Sequence, residues 1–226
     1  MQRFKAFYVT AQIVGIAIVA LTVAWVLIYM GVVWDVTKKE IYNWHSICMV
    51  LGMIFFYGNS ILLFRAFKNE QKLKVKIAHA TFHAGSVIFI SLGLAVEFVS
   101  HYYSGETNLY SLHSWIGMAT IVIFFSQFVF GLLCYLLPVF SNKVKAFYLP
   151  IHVFFGTLCF IMAIATSLIG LNQNARFNTM YHEFPAQGVM INVIGALIVV
   201  YGTLVVYLLT KPSYNRVPQE IKEVAT

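Results

Sequence analysis

Residues 112–138 read LHSWIGMATIVIFFSQFVFGLLCYLLP, a run with no Asp, Glu, Lys or Arg. A hydrocarbon core about 30 Å thick needs roughly 20 helical residues, so this run is long enough to cross a bilayer as one helix. Working outward, comparable apolar runs occupy residues 8–34, 43–67, 77–101, 148–171 and 187–210. Together they predict an all-α fold, a bundle of six transmembrane helices. The composition agrees: the 226 residues are 60% hydrophobic and 10% charged, and the mean hydropathy is +0.80, well outside the soluble range.

The first run follows MQRFK, is far longer than a secretory h-region and lacks a small-residue cleavage pattern, so it reads as a retained span. Connections are short, with no Pro/Gly/Ser-rich linker and no solenoid repeat. Sequential helices should therefore pack antiparallel in a single membrane domain over 1–226. With the N-terminus in the cytosol, 12 of the 15 Lys and Arg residues fall on inner segments and only Lys38, Lys39 and Arg176 on outer ones. This asymmetry predicts that both termini are cytosolic. The net charge of +7 then marks topology and attraction to anionic lipid in the bilayer, and no nucleic-acid partner is implied. Cys48, Cys134 and Cys159 all lie within spans, without metal-binding spacing, and read as core residues.

His45, His79, His113 and His152 lie within one to two turns of the starts of spans two, three, four and five. Spans two and four run inward, which puts His45 and His113 near the outer surface. Spans three and five run outward, which puts His79 and His152 near the inner surface. Polar side chains at membrane depth face a bundle interior and mark ion paths, proton relays or cofactors. Two imidazoles on facing helices suit the opposite faces of a haem iron. Zinc or copper would call for three or four ligands at one level. Each pair set about 6 Å into a 30 Å core leaves two irons about 15 to 20 Å apart in depth, a spacing suited to electron transfer. Gly52, Gly85, Gly117 and Gly156 lie beside these histidines, either clearing space for a flat ring or allowing close helix contact. His83, one turn deeper than His79, is a second candidate ligand, but His79 matches the depth of the other three.

Four motifs carry a resemblance: KIAHATFH (76–83), YSLHSWIG (110–117), LPIHVFFG (149–156) and EFPAQGVMINVIG (183–195). By these the chain resembles the cytochrome b561 family, most closely its duodenal ferric-reductase branch. The resemblance implies two b-type haems, with His45 paired to His113 and His79 to His152. It implies ascorbate as cytosolic donor and monodehydroascorbate or a ferric iron chelate as outer acceptor. A homodimer in the plasma membrane or in an endomembrane vesicle or lysosome is also expected.

Lys72 and Lys76 share a helical face with His79, Lys145 lies two turns before His152, and Arg65 ends span two. These cations would attract an anionic donor, and the resemblance places ascorbate at Lys72 and Lys76. Relatives often carry Arg where this chain has Lys145, which keeps the charge and loses bidentate geometry. At the outer end, His101 closes span three and Tyr110 precedes span four. The resemblance puts the outer substrate or metal near His101, a possible iron or zinc ligand. Asn192 is a third candidate lining residue, Glu97 is charged at membrane depth, and His182 has no assigned role. The competing function is a histidine-lined metal or proton transporter. That class shows broken helices at the midplane and inverted repeats, neither of which appears here. A flavin-dependent reductase would need a nucleotide-binding domain for which 226 residues leave no space.

Overall fold

The computed structural model describes residues 2–137, 139–178, 181–183 and 185–216. It contains six helices long and apolar enough to cross a membrane: α1 (Gln2–Met30), α2 (Lys39–Ala66), α3 (Lys72–Ser104), α4 (Leu112–Leu136), α5 (Asn142–Phe177) and α6 (Ala186–Thr210). Their large exposed side chains are apolar along the middle of the spans, among them Ile13, Ile16, Ile88, Leu92, Val122 and Phe154. Such an inverted surface is stable only against lipid.

Four helices begin and end within about five residues of the hydropathic edges, and α5 runs six residues past its expected edge at each end, Asn142–Phe177 where 148–171 was expected. The first is displaced toward the N-terminus: it starts at Gln2, whereas residue 8 was expected, and stops at Met30, whereas the apolar run continues to residue 34. The reason is local. Gly31 turns the chain with φ 73°, a conformation that glycine adopts without steric cost. Asn43 Nδ2 then satisfies the terminal carbonyls of Met30 and Gly31, at 3.1 and 2.9 Å, which would otherwise be left bare at the helix end. Trp34, although apolar, stacks on Trp44 with centroids 4.4 Å apart. These contacts pin the first turns of α2 at Asn43 and Trp44, just before His45.

The second helix is the centre of the bundle. It packs on α3 along most of its length and also touches α1, α5 and α6; α1 lies on α6 and α4 on α5. Its buried side chains include Val50, Met53, Ile54, Tyr57 and Leu62. Close approach is achieved by glycine: a Cβ at Gly58 would lie 2.5 Å from the Tyr201 hydroxyl, and one at Gly202 2.3 Å from Ile164 Cδ1. Without a hydrophobic driving force between helices in lipid, this kind of small-residue packing holds the bundle together. A stretch of π-helix interrupts α2 at Val50–Phe56, and α1 and α4 end in one each, at Val26–Met30 and Leu132–Leu136. Cys48, Cys134 and Cys159 are buried free thiols.

Candidate functional site

The paired histidines meet diagonally across the four central helices. His45 of α2 and His113 of α4 have ring centroids 6.2 Å apart with planes at 73°, on the face opposite Gln2 and Arg216, whose side of the bundle is called the terminal face. On the terminal face, His79 of α3 and His152 of α5 stand 6.4 Å apart at 72°. Local structure fixes each one. Ser111 caps α4, its side chain accepting from Ser114 N at 3.1 Å while Ser114 Oγ accepts from Ser111 N at 3.1 Å. This reciprocal box sets His113 in the first turn of its helix.

Backbone carbonyls hold three of the rings by Nδ1. His45 Nδ1 donates to Gly93 O at 2.9 Å, His113 Nδ1 to Thr166 O at 2.9 Å, and His79 Nδ1 to Ser60 O at 3.0 Å. Ser60 Oγ returns a bond to the His79 carbonyl at 2.8 Å. An imidazole that donates from Nδ1 to a carbonyl carries its lone pair on Nε2, the arrangement of a metal-ligating histidine. His152 Nδ1 is buried with no partner among the described residues.

Two glycines not singled out by sequence make room for these rings. A Cβ at Gly170 would lie 2.7 Å from His113 Cε1, and one at Gly131 2.9 Å from His152 Cε1. A signal existed: each glycine lies at the depth of its histidine on the antiparallel neighbour. The four glycines that were singled out divide differently. Gly52 is pressed against Ile90, Phe89 and Ser86, and Gly85 against Phe56, so these two serve the α2–α3 contact. Gly117 meets Thr166 at 3.3 Å, and only Gly156 has nothing within 4 Å of its Cβ position. His83 lies against His79, with centroids 4.5 Å apart, and packs on Tyr57 and Phe124 at 5.0 and 5.6 Å.

At the terminal face, Lys76 Nζ donates to Tyr135 O at 2.9 Å, and Tyr135 Oη donates to Lys145 O at 3.2 Å. Lys72 and Lys145 are both close enough to Lys76 to repel it electrostatically. The structure thus joins three of the four expected cations. Arg65 is engaged elsewhere, donating to the Leu209 carbonyl at the end of α6.

The opposite face is less convergent. His101 Nδ1 bonds Asn108 Oδ1 at 2.9 Å, and its Nε2 lies 3.3 Å from Glu97 and 3.8 Å from Glu106. Tyr110 Oη accepts from Gln173 Nε2 at 3.3 Å. Asn192 accepts from Tyr181 Oη and lines a cleft of about 250 Å³ between α5 and α6 with Asn172 and Leu168. These are three separate sets of contacts. His182 is exposed, 3.8 Å from its neighbour Glu183. No cluster of three or more metal-binding side chains occurs among the described residues.

A family model described as eukaryotic cytochrome b561 matches residues 44–178, a segment that contains all four paired histidines. The chain belongs to the cytochrome b561 family. It is 36% identical over 223 residues to the transmembrane ascorbate-dependent reductase CYB561 of Ovis aries, covering 97% of this chain and 87% of the relative. The Homo sapiens protein of that name is likewise 36% identical, with 97% and 88% covered. The plasma membrane ascorbate-dependent reductase CYBRD1 of Xenopus laevis is 35% identical over 229 residues, with 99% and 81% covered. Overall identity does not separate the two kinds of relative.

Membership of the cytochrome b561 family implies b-type haem, and the histidine pairs can be tested against it. An imidazole nitrogen binds a metal at about 2 Å and the ring centroid lies about 1 Å behind it, so two imidazoles that shared one iron would have centroids about 6 Å apart. Both pairs have this spacing, at 6.2 and 6.4 Å. Three of the four rings are also held through Nδ1, so the residues fit the group.

Proposed function

We propose that this cytochrome b561 passes single electrons across a membrane, from ascorbate at the cytosolic terminal face, through two b-type haems, to an acceptor at the opposite face. The observation that carries this reading is the matched pair of imidazole pairs, one at each face. His79 and His152 hold one haem, and His45 and His113 the other. Bound haem supplies an iron that cycles between ferric and ferrous in an apolar setting.

The remaining chemistry is done by the chain. Lys72, Lys76 and Lys145 draw the ascorbate anion to the terminal face. Ascorbate gives up one electron and a proton and leaves as monodehydroascorbate. The aromatic packing of Tyr57, His83 and Phe124 excludes water one turn deeper in the bundle. At the opposite face, His101 and Tyr110 border the acceptor. There one electron converts a ferric chelate to its ferrous form, or one electron and one proton return monodehydroascorbate to ascorbate. The ascorbate-dependent relatives, CYB561 and CYBRD1, support the donor. Assembly as a homodimer and residence in the plasma membrane or an endomembrane vesicle belong to the same proposal.

Purified protein tests it. A reduced-minus-oxidised b-type spectrum with two haems per chain, developed by added ascorbate, is the expected result. A colourless preparation that carried metal ions or protons across vesicles would overturn the reading in favour of a transporter.

A further inference from the structure

Glu97 of α3 lies one turn deeper than His101, and its carboxylate reaches two imidazoles at once. Its Oε1 is 3.3 Å from His101 Nε2, and its Oε2 is 3.7 Å from His45 Nδ1. The side chain is 24% exposed, and Oε2 is buried with no hydrogen-bond partner among the described residues. Among the described residues its ion-pair partners are the two histidines. His45 Nδ1 already donates to Gly93 O at 2.9 Å. At 3.7 Å the influence of Glu97 on His45 is therefore that of a nearby charge rather than a hydrogen bond.

A partly buried carboxylate with one oxygen shut off from water is costly unless paired. One poised against a metal-ligating imidazole favours the more positive state of that metal. In a setting of protein-like dielectric, a unit charge several ångströms away is worth more than a tenfold change in a one-electron equilibrium. We infer that Glu97 is a positioning residue that lowers the reduction potential of the haem held by His45 and His113, while fixing His101 beside it. A lower potential at this face makes the electron readier to leave for the outer acceptor. The inference rests on the haem reading above and concerns one haem of the two.

The test is potentiometric titration of the full chain with both haems bound, followed by optical absorbance. His113→Ala identifies which component belongs to this pair. In Glu97→Gln that component is expected to move upward by a factor of ten or more, at least about 59 mV for one electron. The other component should stay in place and the b-type spectrum should persist. Glu97→Asp, which keeps the charge, should recover most of the shift. If Glu97→Gln does not accumulate, Glu97→Ala is expected to move the same component in the same direction. Unchanged potentials in a variant that retains both haems would overturn the role of Glu97 and leave the haem reading standing. A wild-type protein without b-type absorbance would instead overturn the haem reading itself.

Discussion

The rings of His79 and His152 stand 6.4 Å apart, and those of His45 and His113, at the other face, 6.2 Å apart. The two pairs take their histidines from different helices, and the carbonyls of Gly93, Thr166 and Ser60 that hold them are distinct, so each pair should bind its haem independently. Replacing His113 by Ala is expected to halve the b-type absorbance per chain and to spare the component nearer the termini. His79→Ala should remove the complementary half. Loss of both haems from either variant, measured as haem content against protein, would contradict independent sites.

Gly170 gives a sharper test, because it touches no substrate. A methyl group there would lie 2.7 Å from His113 Cε1. Overpacking of this kind costs about 1 to 3 kcal/mol, and here the ring must yield. Gly170→Ala should lose the haem of His113 while the protein still inserts in membranes. Gly195→Ala, whose nearest neighbour would be Leu168 at an ordinary 3.6 Å, should keep both haems.

The lysine group makes a kinetic prediction. Lys72→Gln and Lys145→Gln should each slow haem reduction by ascorbate several-fold at low ionic strength and flatten its salt dependence, since steering by exposed charge is screened within about 10 Å at 0.1 M. Lys76→Gln should also cost about 1 kcal/mol of stability, because its ammonium bonds the Tyr135 carbonyl. Stopped-flow absorbance separates these effects; rates independent of both substitution and salt would remove the donor site from this face.

How much of this was legible in the sequence follows from what hydropathy reports. Residues 112–138 announced a span because hydrocarbon thickness sets a length, and span direction alone sorted His45 with His113 and His79 with His152. Hydropathy does not report where backbone hydrogen bonding ends. Val32, Val33 and Trp34 therefore looked helical, whereas Gly31 and Asn43 end the helix before them. Nor does it report rotation of a helix about its axis. That rotation turns Gly131 and Gly170, rather than Gly52 and Gly85, toward the ligand rings. It also sends Arg65 to Leu209 and Asn192 to Tyr181, away from the groups they were expected to join.

The loops of the face opposite the termini should be acid-sensitive. The hydrogen bond from Lys39 Nζ to Glu106, 2.9 Å long, holds the Glu106 carboxyl below its usual range, and the charges of Lys39 and His101 add to this. Hydrogen bonds from Thr37 lower Asp35 in the same way. A depressed folded-state pKa contributes stability that is present above the ordinary carboxylate range and is lost as pH falls through the folded value. Amide exchange in residues 35–40 and 104–108 should therefore accelerate below about pH 4.5. Glu106→Gln should remove the part of that pH dependence contributed by the Lys39 tie, a contribution of at most about 1 kcal/mol for so exposed a pair. Exchange insensitive to pH, after correction for its intrinsic rate, would contradict the ion pair in solution.

The most direct measurement of transmembrane electron transfer uses sealed vesicles holding the haem-loaded chain with its termini inward, ascorbate trapped within and a membrane-impermeant ferric chelate outside. The account predicts that external iron is reduced at a rate proportional to protein, and that His113→Ala abolishes this while ascorbate still reduces the haem held by His79 and His152. Haems reduced by internal ascorbate with no electron reaching the outer acceptor would contradict it.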